Sequence, residues 1–165
     1  MTTHWHSFPD TMQRPAEVWF DLPAGPERSV SLRNYLDRSC LCLLFLPDTS
    51  PREIALLVAL SQAHDSFKDN DAEILAVMPL STHAVGRLTE DIALSFPLLS
   101  DVDSATRSRY ASLLPLVPYH EPPLVFVLDR YGAPRAAAVL PAAGDEEWLG
   151  QALEWIQLAE LACPE

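Results

Sequence analysis

Residues 40–51 read Cys40-Leu41-Cys42-Leu43-Leu44-Phe45-Leu46-Pro47-Asp48-Thr49-Ser50-Pro51. The run Cys40 to Leu46 is wholly apolar and is stopped by a proline. A short run of this kind, bounded by turn signals, predicts a strand buried on both faces, hence central and parallel in its sheet. Ser50 suits a helix N-cap and Pro51 the first helical position. The spacing therefore predicts a strand, a tight loop and a helix running to about Phe67. Its stretch Ile54 to Leu60 is apolar nearly all round, as in a helix covered on both sides.

Working outward, Glu73 to Met78 has the same buried-strand character and ends at Pro79. A helix is expected from about Thr82 to Leu94, with Val85, Leu88 and Ile92 on one face. Phe96 to Asp101 is a short extended piece, Ser104 to Leu113 another helix, and Pro115 to Pro123 a loop. Leu124 to Asp129 is the third buried strand; Arg130 to Ala133 turns the chain into a last strand from Pro134 to Leu140. Asp145 to Ala162 closes as a helix, its acidic first turn suited to the helix dipole. Towards the N-terminus, Val18 to Leu32 predicts a hairpin turned by Pro23-Ala24-Gly25-Pro26. Strands alternating with helices specify an α/β protein, a three-layer α/β/α sandwich on a central mixed sheet with an N-terminal hairpin. Residues 1–15 are expected to be an N-terminal extension outside the core, and 16–165 a single domain.

The chain has 165 residues, and 11 Lys+Arg against 23 Asp+Glu give a net charge of −12. Such a surface repels phosphate backbones, which argues against nucleic-acid binding. No apolar run is long enough to span a bilayer, and Met1 to Asp10 lacks a signal-peptide pattern. Three cysteines, Cys40, Cys42 and Cys163, with no CxxC, suit a reducing, cytoplasmic setting rather than a disulfide framework. His4-Trp5-His6 is at most half of a metal site, and no complete ligand spacing follows it, so neither metal nor other cofactor is expected.

Several pieces, taken in order, carry a family resemblance. Phe20-Asp21-Leu22 and Val30-Ser31-Leu32-Arg33-Asn34-Tyr35, then Leu44-Phe45-Leu46-Pro47, Glu73 to Val77, Phe96-Pro97-Leu98-Leu99-Ser100-Asp101 and Pro122-Pro123-Leu124 to Gly132 resemble the peroxiredoxin group. This group, the alkyl hydroperoxide reductase/thiol-specific antioxidant proteins, belongs to the thioredoxin-like superfamily. The resemblance implies a thioredoxin fold over roughly Pro15 to Leu140. It also implies a peroxidatic cysteine in a P-x-x-x-T-x-x-C motif at the first turn of the helix after the first central strand. There, helix N–H groups and an arginine lower the thiol pKa.

The motif positions here read Pro47, Thr49, Ser50, Arg52 and Glu53. If Ser50 takes the place of the motif threonine, Glu53 takes that of the cysteine; if Pro47 takes that of the proline, Ile54 does. Neither register supplies a thiol, and Leu124 and Val125 stand where the family carries a second-half arginine. The resemblance implies a cis-proline opening the third strand, at either the Glu121-Pro122 or the Pro122-Pro123 bond. A surviving groove would be lined by Ser50, Glu53, Glu121, Pro122 and Pro123. His120 and Glu121 are candidates to reach Ser50 or Glu53 and form an acid/base or metal cluster there, although no sequence spacing supports one.

The candidate thiols are Cys40, Cys42 and Cys163. On a strand Cys40 and Cys42 point to one face, either as a redox pair or as two small core residues. Two functions follow: a peroxiredoxin-like binding or regulatory module with a protein partner, as a homodimer or otherwise, or an atypical thiol-dependent oxidoreductase.

Overall fold

The computed structural model describes residues 3–115, 117, 121–140 and 146–162. Alternation along the chain builds a six-stranded sheet from β1 (Trp5–Ser7), β4 (Cys40–Phe45), β5 (Ala72–Met78), β6 (Leu98–Ser100), β7 (Leu124–Leu128) and β8 (Pro134–Val139), in the order β1-β8-β7-β4-β5-β6. A separate two-stranded hairpin pairs β2 (Asp21–Pro23) with β3 (Ser29–Ser31). The helices are α1 (Pro51–Gln62), α2 (His64–Lys68), α3 (Thr82–Asp91), α4 (Ala105–Ala111) and α5 (Glu147–Ala162).

β4 lies inside the sheet and every residue of it is buried. It runs parallel to β5 but antiparallel to β7, so the expectation of parallel pairing holds on one side only. Its side chains alternate between two cores. Cys40, Cys42 and Leu44 face Leu57 and Leu60 of α1, Phe67 of α2, Val85 of α3 and Trp148, Ala152 and Ile156 of α5. Leu41, Leu43 and Phe45 face Val18, Phe20, Val30 and Leu32 from the hairpin region and Tyr110 of α4. The result is the expected three-layer thioredoxin-like sandwich.

Three sequence expectations change. The long helix to Phe67 is broken at Ala63, where the chain turns into α2 so that His64 and Phe67 point into the protein and are buried. α1 is covered on one side only: Leu57, Ala59 and Leu60 are buried while Ala55 and Val58 are exposed. An apolar circumference records composition and does not say how many neighbours the fold supplies. The first residues, expected outside the core, supply an edge strand. Trp5, His6 and Ser7 pair with Ala138, Ala137 and Ala136, and Phe8 is buried. The Trp5 indole donates to Gln151 Oε1 at 2.9 Å, which ties the strand to α5. The gain is physical: without β1, the all but buried β8 would be an open edge.

The β7–β8 turn is held by buried Asp129, whose carboxylate accepts from the backbone N–H of Tyr131 and Ala133 and from Arg135 Nε at 2.8 Å. Gly132 has φ +79 there, and a Cβ on it would lie 2.9 Å from Arg14 Cδ.

Candidate active site

The carboxyl ends of β4, β5 and β6 meet the amino end of β7, because Leu124 lies opposite Phe45 in the register. Pro123, one residue beyond that pair, and Pro47, two residues beyond it, therefore reach one edge of the sheet. Open α/β sheets place their ligand sites at this edge.

After β4 the chain crosses Pro47 to Ser50 and enters α1. Asp48 Oδ1 accepts from the Ser50 backbone N–H at 2.9 Å, which, with the Ser50 hydroxyl, holds the Asp48 carboxyl below its usual range. Ser50 has the extended backbone of an N-cap, but its side chain makes no cap hydrogen bond. Its hydroxyl donates instead to Glu53 Oε2. Glu53 Oε1 lies 3.5 Å from Arg52 Nη1, and Glu53 as a whole is only 3% exposed. Asp48, Ser50, Arg52 and Glu53 thus form one connected group at the first turn of α1. This turn presents carboxyl, hydroxyl and guanidinium groups and no sulfur.

Thr49 faces elsewhere, into a shallow cleft shared with Pro51, Ile54, Val58 and Glu146. Pro122 and Pro123 are buried and Glu121 is exposed. None of the described peptide bonds is cis, which corrects the expected cis-proline at Pro122 or Pro123. Glu121 instead carries the turn with a left-handed φ of 49. Of the expected groove, Ser50 and Glu53 are in contact, while Glu121 to Pro123 sit at the same sheet edge in a second group. His120 and Cys163 lie outside the described residues.

That second group contains a residue the sequence reading missed. Arg107 of α4 is 6% exposed, and its Nη2 donates to the Pro122 carbonyl. A guanidinium therefore does reach the start of the third buried strand, but from a helix rather than from the strand itself. Burial lowers the Arg107 pKa, against the opposing charges of Glu121 and Asp101. Asp101 accepts from the backbone N–H of Thr106 at 3.1 Å and Arg107 at 3.0 Å, capping α4 from the end of β6. The only sequence sign of Arg107 was its helical spacing from Tyr110, three residues on, which puts both on the buried face.

Cys40 and Cys42 share a face of β4, both are 0% exposed, and neither is in a disulfide. Cys40 Sγ donates to Glu160 Oε1 at 3.1 Å. Burial pushes the Cys42 thiol up to about 12. Among the described residues no group of three or more His, Cys, Asp or Glu side chains is placed to hold a metal ion. No helix among them is long and apolar enough to cross a membrane.

The mixed sheet, the sandwiching helices and the loop-to-helix entry after β4 define a thioredoxin-like α/β protein. More narrowly, residues 14–135 match the AhpC/TSA family, and the chain belongs to that family. Peroxiredoxin Q from Xanthomonas campestris is similar in structure at a TM-score of 0.72 and 22% identity, over 88% of this chain and 98% of that chain. Peroxidoxin BcpB from Mycobacterium tuberculosis is similar at a TM-score of 0.73 and 14% identity, over 89% of this chain and 97% of that one. A secreted disulfide oxidoreductase of Mycobacterium tuberculosis, homologous to E. coli DsbE, is similar at 0.63 and 15% identity, over 84% of this chain and 96% of that one. At these identities the similarity is one of fold. No protein of curated function matches the chain significantly in sequence.

Proposed function

We propose that this AhpC/TSA protein does not reduce peroxides and acts instead as a binding or regulatory module for a protein partner in a reducing, cytoplasmic compartment. The observation that carries the reading is the buried Glu53 at the first turn of α1, held by the Ser50 hydroxyl and Arg52. A thiolate sulfur attacks the O–O bond and is itself oxidised by two electrons to a sulfenic acid, whereas a carboxylate oxygen has no such oxidised state to reach. The thiols of β4 do not substitute for it. They are buried, Cys42 is held protonated, and the proton of Cys40 is directed at a carboxyl oxygen. The partner-binding part rests on α1, whose exposed Ala55 and Val58 border an apolar cleft next to the degenerate motif.

Peroxide consumption by the purified, reduced protein tests the first part, with sulfenic-acid trapping and mass spectrometry on each cysteine. The expected result is no turnover and no trapped residue. Rapid turnover with one trapped cysteine overturns the reading and establishes a thiol oxidoreductase. For the second part, a Val58→Glu variant is expected to lose association, with itself or with a captured partner, while keeping its fold by circular dichroism.

A further inference from the structure

The other end of the sheet holds a second set of converging groups. A cavity of about 470 Å³ opens beside the amino ends of β4, β5 and β6. That volume is within the usual range for small-molecule sites. Arg28 from the hairpin, Arg38 before β4 and Lys68 at the end of α2 all line it, and Lys68 is the one lysine of the chain. In a protein of net charge −12 this gathering of cations is unexpected. None of the three makes an ion pair or a side-chain hydrogen bond with a described residue. Among the described residues, Glu73 is the only acidic one in the lining.

One wall is built rather than incidental. His64 is 5% exposed, its Nδ1 lies 2.8 Å from Ser95 Oγ, and its ring stands edge-on to Phe96. Nε2 is buried without a hydrogen-bond partner, 3.6 Å from Glu73 Oε2. When the Ser95 hydroxyl donates to Nδ1, Nε2 carries the proton, and the acceptor facing it, Glu73 Oε2, lies beyond hydrogen-bond distance. Buried polar atoms of this kind are rare unless a ligand or water satisfies them. Tyr35 closes another wall. Burial, and then the facing Glu73, raise its hydroxyl pKa, with Arg28 opposing. These groups therefore act on one another across a shared space.

We propose that this cavity binds a small phosphate monoester. Three cations less one carboxylate leave two positive charges, which match a phosphoryl dianion. Guanidinium groups offer the forked donors that phosphate oxygens accept. His64 Nε2 adds a further buried polar atom, and the Tyr35 ring gives the organic part of the ligand a flat surface. The site lies at the opposite sheet edge from Ser50 and Glu53 and does not depend on whether that region is catalytic.

The test is titration of the whole protein with phenyl phosphate, inorganic phosphate and acetate, followed by NMR signals of the His64 and Tyr35 rings. Both phosphates are expected to saturate and to shift both rings, phenyl phosphate more tightly, and acetate to bind far more weakly. Arg38→Ala and Lys68→Ala are each expected to weaken phosphate binding about tenfold, the effect of one charge-assisted hydrogen bond. Glu73→Gln is expected to tighten it. Absence of a saturable shift at these rings, or alanine variants that bind as tightly as the parent, overturns the proposal. Equal binding of acetate overturns the assignment to a dianion. Both cations are exposed, so circular dichroism is expected to show the variants folded.

Discussion

The two ends of the central sheet differ in how their polar groups are satisfied. At the carboxyl end, Asp48, Ser50, Arg52 and Glu53 are bonded to one another, and Asp101 and Arg107 are tied to α4 and to Pro122. At the amino end, Arg28, Arg38 and Lys68 make no ion pair with a described residue, and His64 Nε2 has no hydrogen bond to one. Where polar groups satisfy each other, they contribute to stability; where they converge unsatisfied, they are free to contribute to binding. The polar groups at the first turn of α1 are thus bonded to one another, whereas those at the remote end converge on an open cavity.

Five measurements break or sharpen this contrast. The largest effect concerns thiols. At pH 8 the Cys42 thiol is expected to react with an alkylating reagent roughly a thousandfold more slowly than after unfolding, because almost none of it is thiolate. Peptide mapping by mass spectrometry checks this, and fast native labelling of Cys42 would move the chemistry into the sheet interior. The same burial has an alkaline signature. The folded state keeps a proton that the unfolded chain begins to release near its ordinary pKa of 9.0. This contribution to stability is full below about pH 9 and is lost as pH rises towards 12, at about 1.4 kcal/mol per pH unit. Urea unfolding at a series of alkaline pH values reads it.

Next in size, Asp101→Ala removes two charge-assisted bonds to the start of α4 and one of the two carboxylates that offset the buried Arg107 guanidinium. A loss of about 3 kcal/mol is expected in urea unfolding. Glu53→Ala is expected to cost about 1 kcal/mol, from the lost Ser50 bond and the favourable charge at a helix start. Smallest of all, Arg38→Ala and Lys68→Ala are expected to change stability by less than about 0.5 kcal/mol, as exposed side chains without partners do. If these two cost as much as Asp101→Ala, the two ends are not different in kind.

Much of the fold was legible because its signals are local. The continuous apolar runs at Cys40–Leu46, Ile74–Met78 and Leu124–Leu128, each stopped by a proline or an aspartate, marked the buried strands directly. The hairpin was marked by its Pro and Gly residues. Trp5–Ser7 was not legible as a strand. A short polar-aromatic segment has no period of its own, and it is extended because β8 offers an edge. The break at Ala63 was hidden for a similar reason: helical propensity continues through it, and only the burial of His64 and Phe67 turns the chain.

The motif region was legible in composition and not in arrangement. The residues at 47–53 could be read off, including the absence of cysteine. That Ser50 would leave its capping role for Glu53, and that Thr49 would face a different cleft, depended on side-chain directions no spacing encodes. Arg107 and Pro122 are joined across 15 residues, and His64 and Ser95 across 31. Contacts at such separations leave no periodic trace in a single sequence.

By itself, then, the sequence determined the α/β class, the burial of β4, β5 and β7, the family resemblance and the absence of cysteine from residues 47–54. These follow from local patterning, because apolar periodicity and turn residues act over a few neighbours. Only the tertiary structure decided that Glu53 is buried, that an arginine from α4 reaches the third strand, and that the cations of three separate segments share one cavity. Those outcomes depend on how the elements pack, and packing is set by the whole sheet rather than by any segment of it.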